Sequence, residues 1–169
     1  KIYADKFPNG ANAVVAQKFA QPDTTSITND IAALGSSMYN DETHRVDFKI
    51  ANDFIKVCEL YALLKPEDPQ SPEYLHKAGE TARAIRSFPT AVALYDWICV
   101  KYPDFEKAPQ ALFLKAFTYD NDLADKAMAK SLYEDFLKRY PEDDFADDAE
   151  LMLELLGKSD EEVLESLGH

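Results

Sequence analysis

The sequence predicts an all-α protein built from repeated pairs of antiparallel helices. Only 5 of its 169 residues are glycine, and valine and threonine are scarce beside Ala, Leu, Lys, Glu and Asp. This composition favours helices over sheets. Apolar side chains recur at helical spacing along several segments. The sequence also repeats itself at an interval of 37 to 38 residues, and a fixed interval of this size is typical of stacked helical units.

The clearest repeated element is a helix that ends at Tyr-Pro. Residues 94–103 match residues 132–141, and each segment places Tyr, an apolar residue and a second Tyr at positions i, i+3 and i+7. This spacing predicts one buried stripe along a helix. The proline that follows ends the helix because it has no N–H and its ring clashes with the preceding turn. Residues 52–66 form a weaker third copy, which ends at Lys65-Pro66.

Each repeated unit is predicted to contain two helices. In the middle unit they would cover residues 72–88 and 90–102, and in the next unit residues 109–119 and 124–140. Both first helices begin with proline, which suits the first turn of a helix. The first helices align at an offset of 37 residues and the second helices at 38. We therefore expect the turn within the later unit to be one residue longer.

The unit resembles the tetratricopeptide repeat (TPR), in which large, small, small, aromatic and proline residues occupy five fixed positions. On these positions lie Leu75, Gly79, Ala91, Tyr95 and Pro103 in the middle unit, and Leu112, Ala116, Ala129, Tyr133 and Pro141 in the next. The small residues would let paired helices approach closely, so Gly79→Leu is expected to unfold the middle unit by overpacking. The resemblance implies an α-α superhelix of stacked antiparallel helix pairs with a C-terminal capping helix.

We predict a TPR-like helical domain over residues 27–169. Its repeats are expected at about 27–66, 72–105 and 109–143, followed by capping helices within 145–167. Residues 1–26 are either an N-terminal leader or a truncated repeat, and the sequence leaves both open. From Glu142 to His169 the chain has 11 acidic residues and one basic residue. That end is either a solvated cap or an acidic docking surface.

No catalytic or cofactor motif is found in the sequence. It contains no Gly-rich phosphate loop, Gly-x-Ser-x-Gly, His-Glu-x-x-His or Cys-x-x-Cys, and its histidines are His44, His76 and His169. We therefore expect a protein without enzymatic activity, cofactor or bound metal. The nearest approach to a metal site is Glu73, His76 and Glu80 at i, i+3 and i+7. Such mixtures on helices are mostly solvated faces that form weak ion pairs.

The charge of the chain restricts its partners. The 18 Lys and Arg residues oppose 31 Asp and Glu residues, which gives a net charge of −13. Nucleic-acid phosphates and anionic lipids repel such a chain, so the expected partners are proteins or peptides and not nucleic acid. No apolar run approaches the length of a membrane-spanning helix, so no direct membrane span is predicted. Cys58 and Cys99 lie in apolar helical patterns and are expected to be free thiols.

A superhelix of this family has a groove lined by the first helix of each unit. The residues expected to face a bound segment are Glu73, His76, Glu80, Arg83, Gln110, Phe113, Phe117 and Asp120, with Asn29, Ala32, Ser36 and Tyr39 in the first unit. Family members that bind chaperone tails carry a Lys/Asn/Arg clamp for a terminal carboxylate. Here His76 and Glu80 replace those groups, so capture of an acidic terminus is not expected. Phe113 and Phe117 indicate either an apolar pocket or packing against a neighbouring helix of this chain.

A narrower resemblance concerns the segment between units. Tyr-Pro is followed by Ala108 and Ala111 in one unit and by Ala146 and Ala149 in the next. This pattern is similar to bacterial envelope repeat proteins such as the outer-membrane β-barrel assembly lipoprotein and the periplasmic coordinator of the Tol–Pal system. The similarity implies a periplasmic scaffold anchored to the outer membrane through a lipidated cysteine upstream of Lys1. A cytoplasmic protein is the alternative.

The resulting expectation for function is a non-enzymatic scaffold that binds a partner segment in the groove. Stacked helices present a rigid surface, so little binding energy is spent on ordering the receptor. Two other functions remain open. One is a homo-oligomerisation module of a larger repeat protein, and the other is an accessory subunit of an enzyme.

Overall fold

The computed structural model describes residues 24–40 and 45–158, and this part of the chain has an all-α, repeat-like fold. Consecutive helices pack against each other along the chain. The helices are α1 (Thr24–Ser37), α2 (Phe48–Leu64), α3 (Gln70–Ala84), α4 (Phe88–Lys101), α5 (Ala108–Phe117), α6 (Lys126–Arg139) and α7 (Ala146–Leu155). The prediction of an all-α fold is confirmed.

The predicted units correspond to the helix pairs α1–α2, α3–α4 and α5–α6, and α7 occupies the first part of the expected cap. Helix α3 ends four residues earlier than predicted because Arg86 has a φ of 61°, which a right-handed helix does not allow. Ala124, with a φ of 54°, lies at the equivalent place before α6. Residues 1–23 of the expected leader and the predicted helix at 161–167 lie outside the described residues.

Three helices end with the same backbone geometry. The C-cap residues Lys65, Tyr102 and Tyr140 have φ values of −130°, −132° and −131° and ψ values of 57°, 53° and 55°. Each precedes a proline, which disfavours the helical conformation for the residue before it. Each cap amide also donates to the carbonyl four residues earlier. The weak third copy of the repeat is thus equivalent to the other two at its helix end.

Two short elements interrupt the helices. Strands β1 (Tyr39–Asn40) and β2 (Arg45–Val46) form an antiparallel ladder between α1 and α2. A π segment, Thr118–Asp122, continues α5. Neither was predicted, because elements of two to five residues are too short to show a periodicity.

The π segment accommodates the extra residue of the later unit. In the middle unit the amide of Ser87 donates to the carbonyl of Ala82. The equivalent amide of Asp125 donates to the carbonyl of Tyr119, which is one residue further away in sequence. A π turn widens a helix by one residue without breaking it. The extra residue therefore lies in the last turn of the first helix, and our placement of it in the inter-helix turn was wrong.

The core consists of two buried clusters, one joining α1 to α4 and the start of α5, and the other joining α5 to α7. Tyr95 is completely buried in the first cluster and Tyr133 in the second. Gly79 of α3 lies directly against Tyr95, since a Cβ atom on Gly79 would be only 2.6 Å from Cε1 of the ring. The missing side chain therefore lets α3 and α4 pack closely.

The close packing of α3 on α4 can be tested with two glycine substitutions. Gly79→Ala is expected to lower the free energy of unfolding by about 1–3 kcal/mol, because the new methyl group overlaps a buried ring. Gly35→Ala is the matched control, since its Cβ would lie at an ordinary distance of 3.4 Å from Cε2 of Phe54. Alanine also has the higher helix propensity, so Gly35→Ala should be as stable as the wild type or more stable.

Chemical denaturation followed by circular dichroism measures both variants. Gly79→Leu fills the same gap with a larger side chain and is expected to prevent folding of the middle unit. If Gly79→Ala were as stable as Gly35→Ala, the close contact with Tyr95 would not control the packing of the two helices.

Candidate functional site

Two adjoining cavities along α3 form the candidate functional site. One cavity of ≈ 580 Å³ lies between α1 and α3, and the other, of ≈ 340 Å³, lies between α3 and α5. Glu80 lines both. The two cavities therefore adjoin across α3, and together they are called the α3 groove. Its lining includes residues from the first helices of three successive units.

The α1–α3 cavity has an apolar base. Ile31 and Phe54 line it, and each is only 5% exposed. The hydroxyl groups at its edge already donate to helix carbonyls, Ser36 to Ala32 at 2.8 Å and Thr81 to Lys77 at 2.8 Å. Because these hydroxyl groups have partners, the base of the cavity suits an apolar side chain, while the charged side chains of Lys77 and Glu80 also line the cavity.

The α3–α5 cavity is polar. Arg83 and Tyr95 line it, and neither Nε of Arg83 nor the hydroxyl of Tyr95 has a hydrogen-bond partner among the described residues. The guanidinium group is fixed by Nη2, which lies 3.4 Å from Oδ2 of Asp122, and by the ring of Phe117, whose centroid is 5.1 Å away. Unpaired buried donors are costly, so a ligand acceptor that reached them would bind favourably.

His76 lies beneath Glu80 and is not part of the groove surface. Its side chain is 3% exposed, and Nδ1 lies 3.4 Å from Oε2 of Glu80. Burial lowers the pKa of His76, while the carboxylate of Glu80 opposes this effect. The ring also lies beside Tyr95, with the centroids 6.2 Å apart. His76 therefore supports Glu80 and Tyr95 from within the core.

Phe113 is also buried, and this settles the choice left open by the sequence. It is 7% exposed and packs on the rings of Tyr133, Phe136 and Phe145 at centroid distances of 5.9, 5.9 and 5.0 Å. Phe113 and His76 are equivalent residues of the repeat, 37 positions apart. Each faces the tyrosine of its paired helix, so the expectation that these two residues face the groove was wrong.

The other predicted groove residues are divided between the surface and internal contacts. Asp120 is 7% exposed and pairs with Lys126, so it too is turned away from the groove. Phe117 is half-buried under Arg83, and Gln110 is half-buried on α5. Of the twelve residues predicted by position, Glu80 and Arg83 line the α3–α5 cavity, and Ala32, Ser36 and Glu80 line the α1–α3 cavity.

Glu73 is held by two lysines instead of facing His76. Its carboxylate oxygens accept hydrogen bonds from Nζ of Lys107 at 2.9 and 3.0 Å, and Lys77 lies 3.4 Å away. Burial alone would raise the pKa of Glu73, but the two lysines outweigh it and the pKa is lowered. No three His, Cys, Asp or Glu side chains within residues 24–40 and 45–158 meet as a set that could hold a metal ion.

Sequence reasoning missed Tyr95 as a groove residue, because its TPR position assigned it to the core alone. The hydroxyl group was the available signal. A buried aromatic residue that serves only packing has no need of it, yet both equivalent residues are Tyr, at 95 and 133. The hydroxyl group of Tyr95 has no hydrogen-bond partner among the described residues, whereas that of Tyr133 interacts with the carboxylate of Asp120.

Comparison with known proteins adds no assignment: no protein-family model matches the chain, and no curated protein matches it in sequence. Within the described residues, no helix combines the length and the apolar character needed to cross a bilayer.

The stability of the fold should depend on pH through His76. In the folded protein, burial lowers the pKa of His76 below its usual value of 6.5. The imidazole therefore binds a proton more readily in the unfolded chain. The free energy of unfolding should fall as the pH decreases below about 7, by at most about 1.4 kcal/mol per pH unit, until the folded-state pKa is reached. His76→Phe removes the titrating group and should make this dependence weaker.

Denaturant titrations between pH 7.5 and pH 5 would compare the two proteins, and His44 and His169 are the same in both. A pH slope that is identical in wild type and His76→Phe would show that His76 is not held as a buried neutral side chain.

Proposed function

We propose that the chain is a non-enzymatic scaffold that binds an extended segment of a partner protein in the α3 groove. The observation that carries this proposal is the pair of adjoining cavities, one apolar and one with unpaired donors on Arg83 and Tyr95. Three helices at about 10 Å spacing span about 20 Å. That length matches about six extended residues at about 3.3 Å each.

The polar cavity favours a neutral peptide amide over a carboxylate. The donors of Arg83 and Tyr95 suit a carbonyl oxygen, and the carboxylate of Glu80 suits an N–H group. Glu80 and Asp122 both lie close to Arg83 in this region, so a ligand carboxylate would meet two like charges. This arrangement supports binding along the main chain of a segment, in contrast to capture of an acidic terminus.

Membership of the TPR family and a location in a bacterial envelope belong to the same proposal. The repeated helix ends at Lys65, Tyr102 and Tyr140 and the Gly79–Tyr95 contact support a TPR-type unit. The Tyr-Pro and Ala-x-x-Ala spacing supports a periplasmic lipoprotein scaffold.

Neither cysteine is suited to act as a catalytic nucleophile. Burial raises the pKa of Cys58 to about 12 and that of Cys99 to about 11. A thiol at such a pKa is protonated near neutral pH and is a poor nucleophile. Both cysteines are free, as expected.

Filling the α3 groove should abolish partner capture. Ala32 and Ala84 are exposed and line the two cavities, so Ala32→Arg and Ala84→Arg would block them without entering the core. Affinity capture from the native organism, quantified by mass spectrometry, should recover about fivefold less of the same protein with either variant. Ala93→Arg, on an exposed position of α4, is the matched control and should capture as much as the wild type.

Thermal melting of all three variants confirms that they fold. If the groove variants and the Ala93 control captured a partner equally well, the α3 groove would not be its binding site.

A further inference from the structure

A second pair of cavities lies at the turns between units. Cavities of ≈ 460 and ≈ 380 Å³ adjoin there and share Pro69, Pro72, Lys101 and Tyr102. Pro66 also lines the larger cavity, and Pro103 the smaller one. This surface, called the proline edge, has no lining residue in common with the α3 groove.

Large apolar side chains are exposed at the proline edge. Leu63 lines the larger cavity and is 65% exposed, and Trp97, the single tryptophan of the chain, lines it as well. Val100, on the last turn of α4, is 64% exposed, and Leu60 and Leu64 of α2 are exposed nearby in the sequence. Val100, Leu60 and Leu64 line neither cavity, but an exposed leucine beside a half-buried tryptophan is typical of a protein interaction surface.

The repeat architecture does not require these residues. The equivalents of Trp97 and Lys101 in the next unit are Asp135 and Arg139, which form an ion pair at 2.8 Å. The fold therefore accepts a charged pair at this place. In the middle unit the same two positions carry an apolar ring and a lysine that lines both cavities.

The rim of the proline edge is acidic. Glu67, Asp68, Asp104 and Glu106 line the two cavities, opposed by Lys101 alone among the basic lining residues. Asp68 accepts a hydrogen bond from the hydroxyl of Tyr61. Glu67, Asp104 and Glu106 form no ion pair within the described residues. Their charge is available to a partner.

We propose that the proline edge binds a second protein segment, in which apolar side chains alternate with basic ones. The apolar side chains would lie against Trp97 and Leu63, and the basic side chains would reach the carboxylates at the rim. Arginine suits the site best, since its guanidinium group also stacks on aromatic rings such as Trp97 and Tyr102. The scaffold would then hold two partner segments at once, one on each surface.

Fluorescence of Trp97 provides the direct test, because no other tryptophan contributes to the signal. The titrant is the capped peptide Gly-Arg-Leu-Arg-Phe-Arg-Gly. We expect a saturable change in the emission spectrum and weaker binding at higher salt. The same peptide with Glu in place of Arg should bind about tenfold more weakly or not at all, since unlike charges are replaced by like charges. No spectral change with the basic peptide, or equal binding of both peptides, would overturn the proposal.

Surface variants locate the binding site. Leu63→Ser and the double variant Glu67→Lys/Glu106→Lys should each raise the dissociation constant of the basic peptide about tenfold. Met128→Ser removes a side chain that is 42% exposed on α6 and is the matched control. The groove variant Ala84→Arg should leave this titration unchanged, so the result is independent of the proposed function of the α3 groove.

Sedimentation of the wild type and Leu63→Ser tests a different occupant of the same surface. The proposal predicts the same mass for both proteins. A dimer that Leu63→Ser converts to a monomer would show that a second copy of the chain covers the proline edge, and would overturn the proposal.

Discussion

The contact between Gly79 and the ring of Tyr95 is the constraint on which the middle of the molecule depends. With no side chain on Gly79, α3 approaches α4 closely enough for the ring to fill the gap. The same approach brings the Tyr95 hydroxyl to the α3–α5 cavity and leaves it without an acceptor. A residue that holds two helices together thereby also lines the groove. In the next unit, Ala116 and Tyr133 occupy the equivalent positions.

The same type of helix end occurs repeatedly along the chain and positions both surfaces. The turns after Lys65 and Tyr102 have the same geometry, so they place successive first helices side by side along the chain. The α3 groove lies along those first helices, and the proline edge lies at the turns themselves. The two surfaces differ in chemistry, since buried unpaired donors lie beneath the groove and the edge presents carboxylates around an apolar centre. A rigid stack can therefore keep two different partners at a fixed separation.

The fold was predictable from the sequence because helix ends and helix pairing are local properties. Tyr-Pro ends two helices of this chain, and small residues at fixed spacing mark the contact between paired helices. The site was predictable only in part, because the direction in which a side chain points depends on the residues that surround it in the folded protein. His76 and Phe113 were assigned to the groove by position, but both turn toward the tyrosine of the paired helix. Asp120 was misplaced because the π segment redirects it toward Lys126. The proline edge was not predicted at all, because its residues come from three helices and two turns that only the fold brings together.

The most direct test of the account is site-specific photo-crosslinking in the native organism, with a photoreactive phenylalanine placed at Ser36, at Ala84 or at the control position Ala93. Ser36 and Ala84 line the two halves of the α3 groove, and all three residues are exposed. The account predicts that positions 36 and 84 form adducts with neighbouring residues of one partner segment and that position 93 does not. Adducts of equal yield at all three positions, or at position 93 alone, would contradict the assignment of the α3 groove as the binding site.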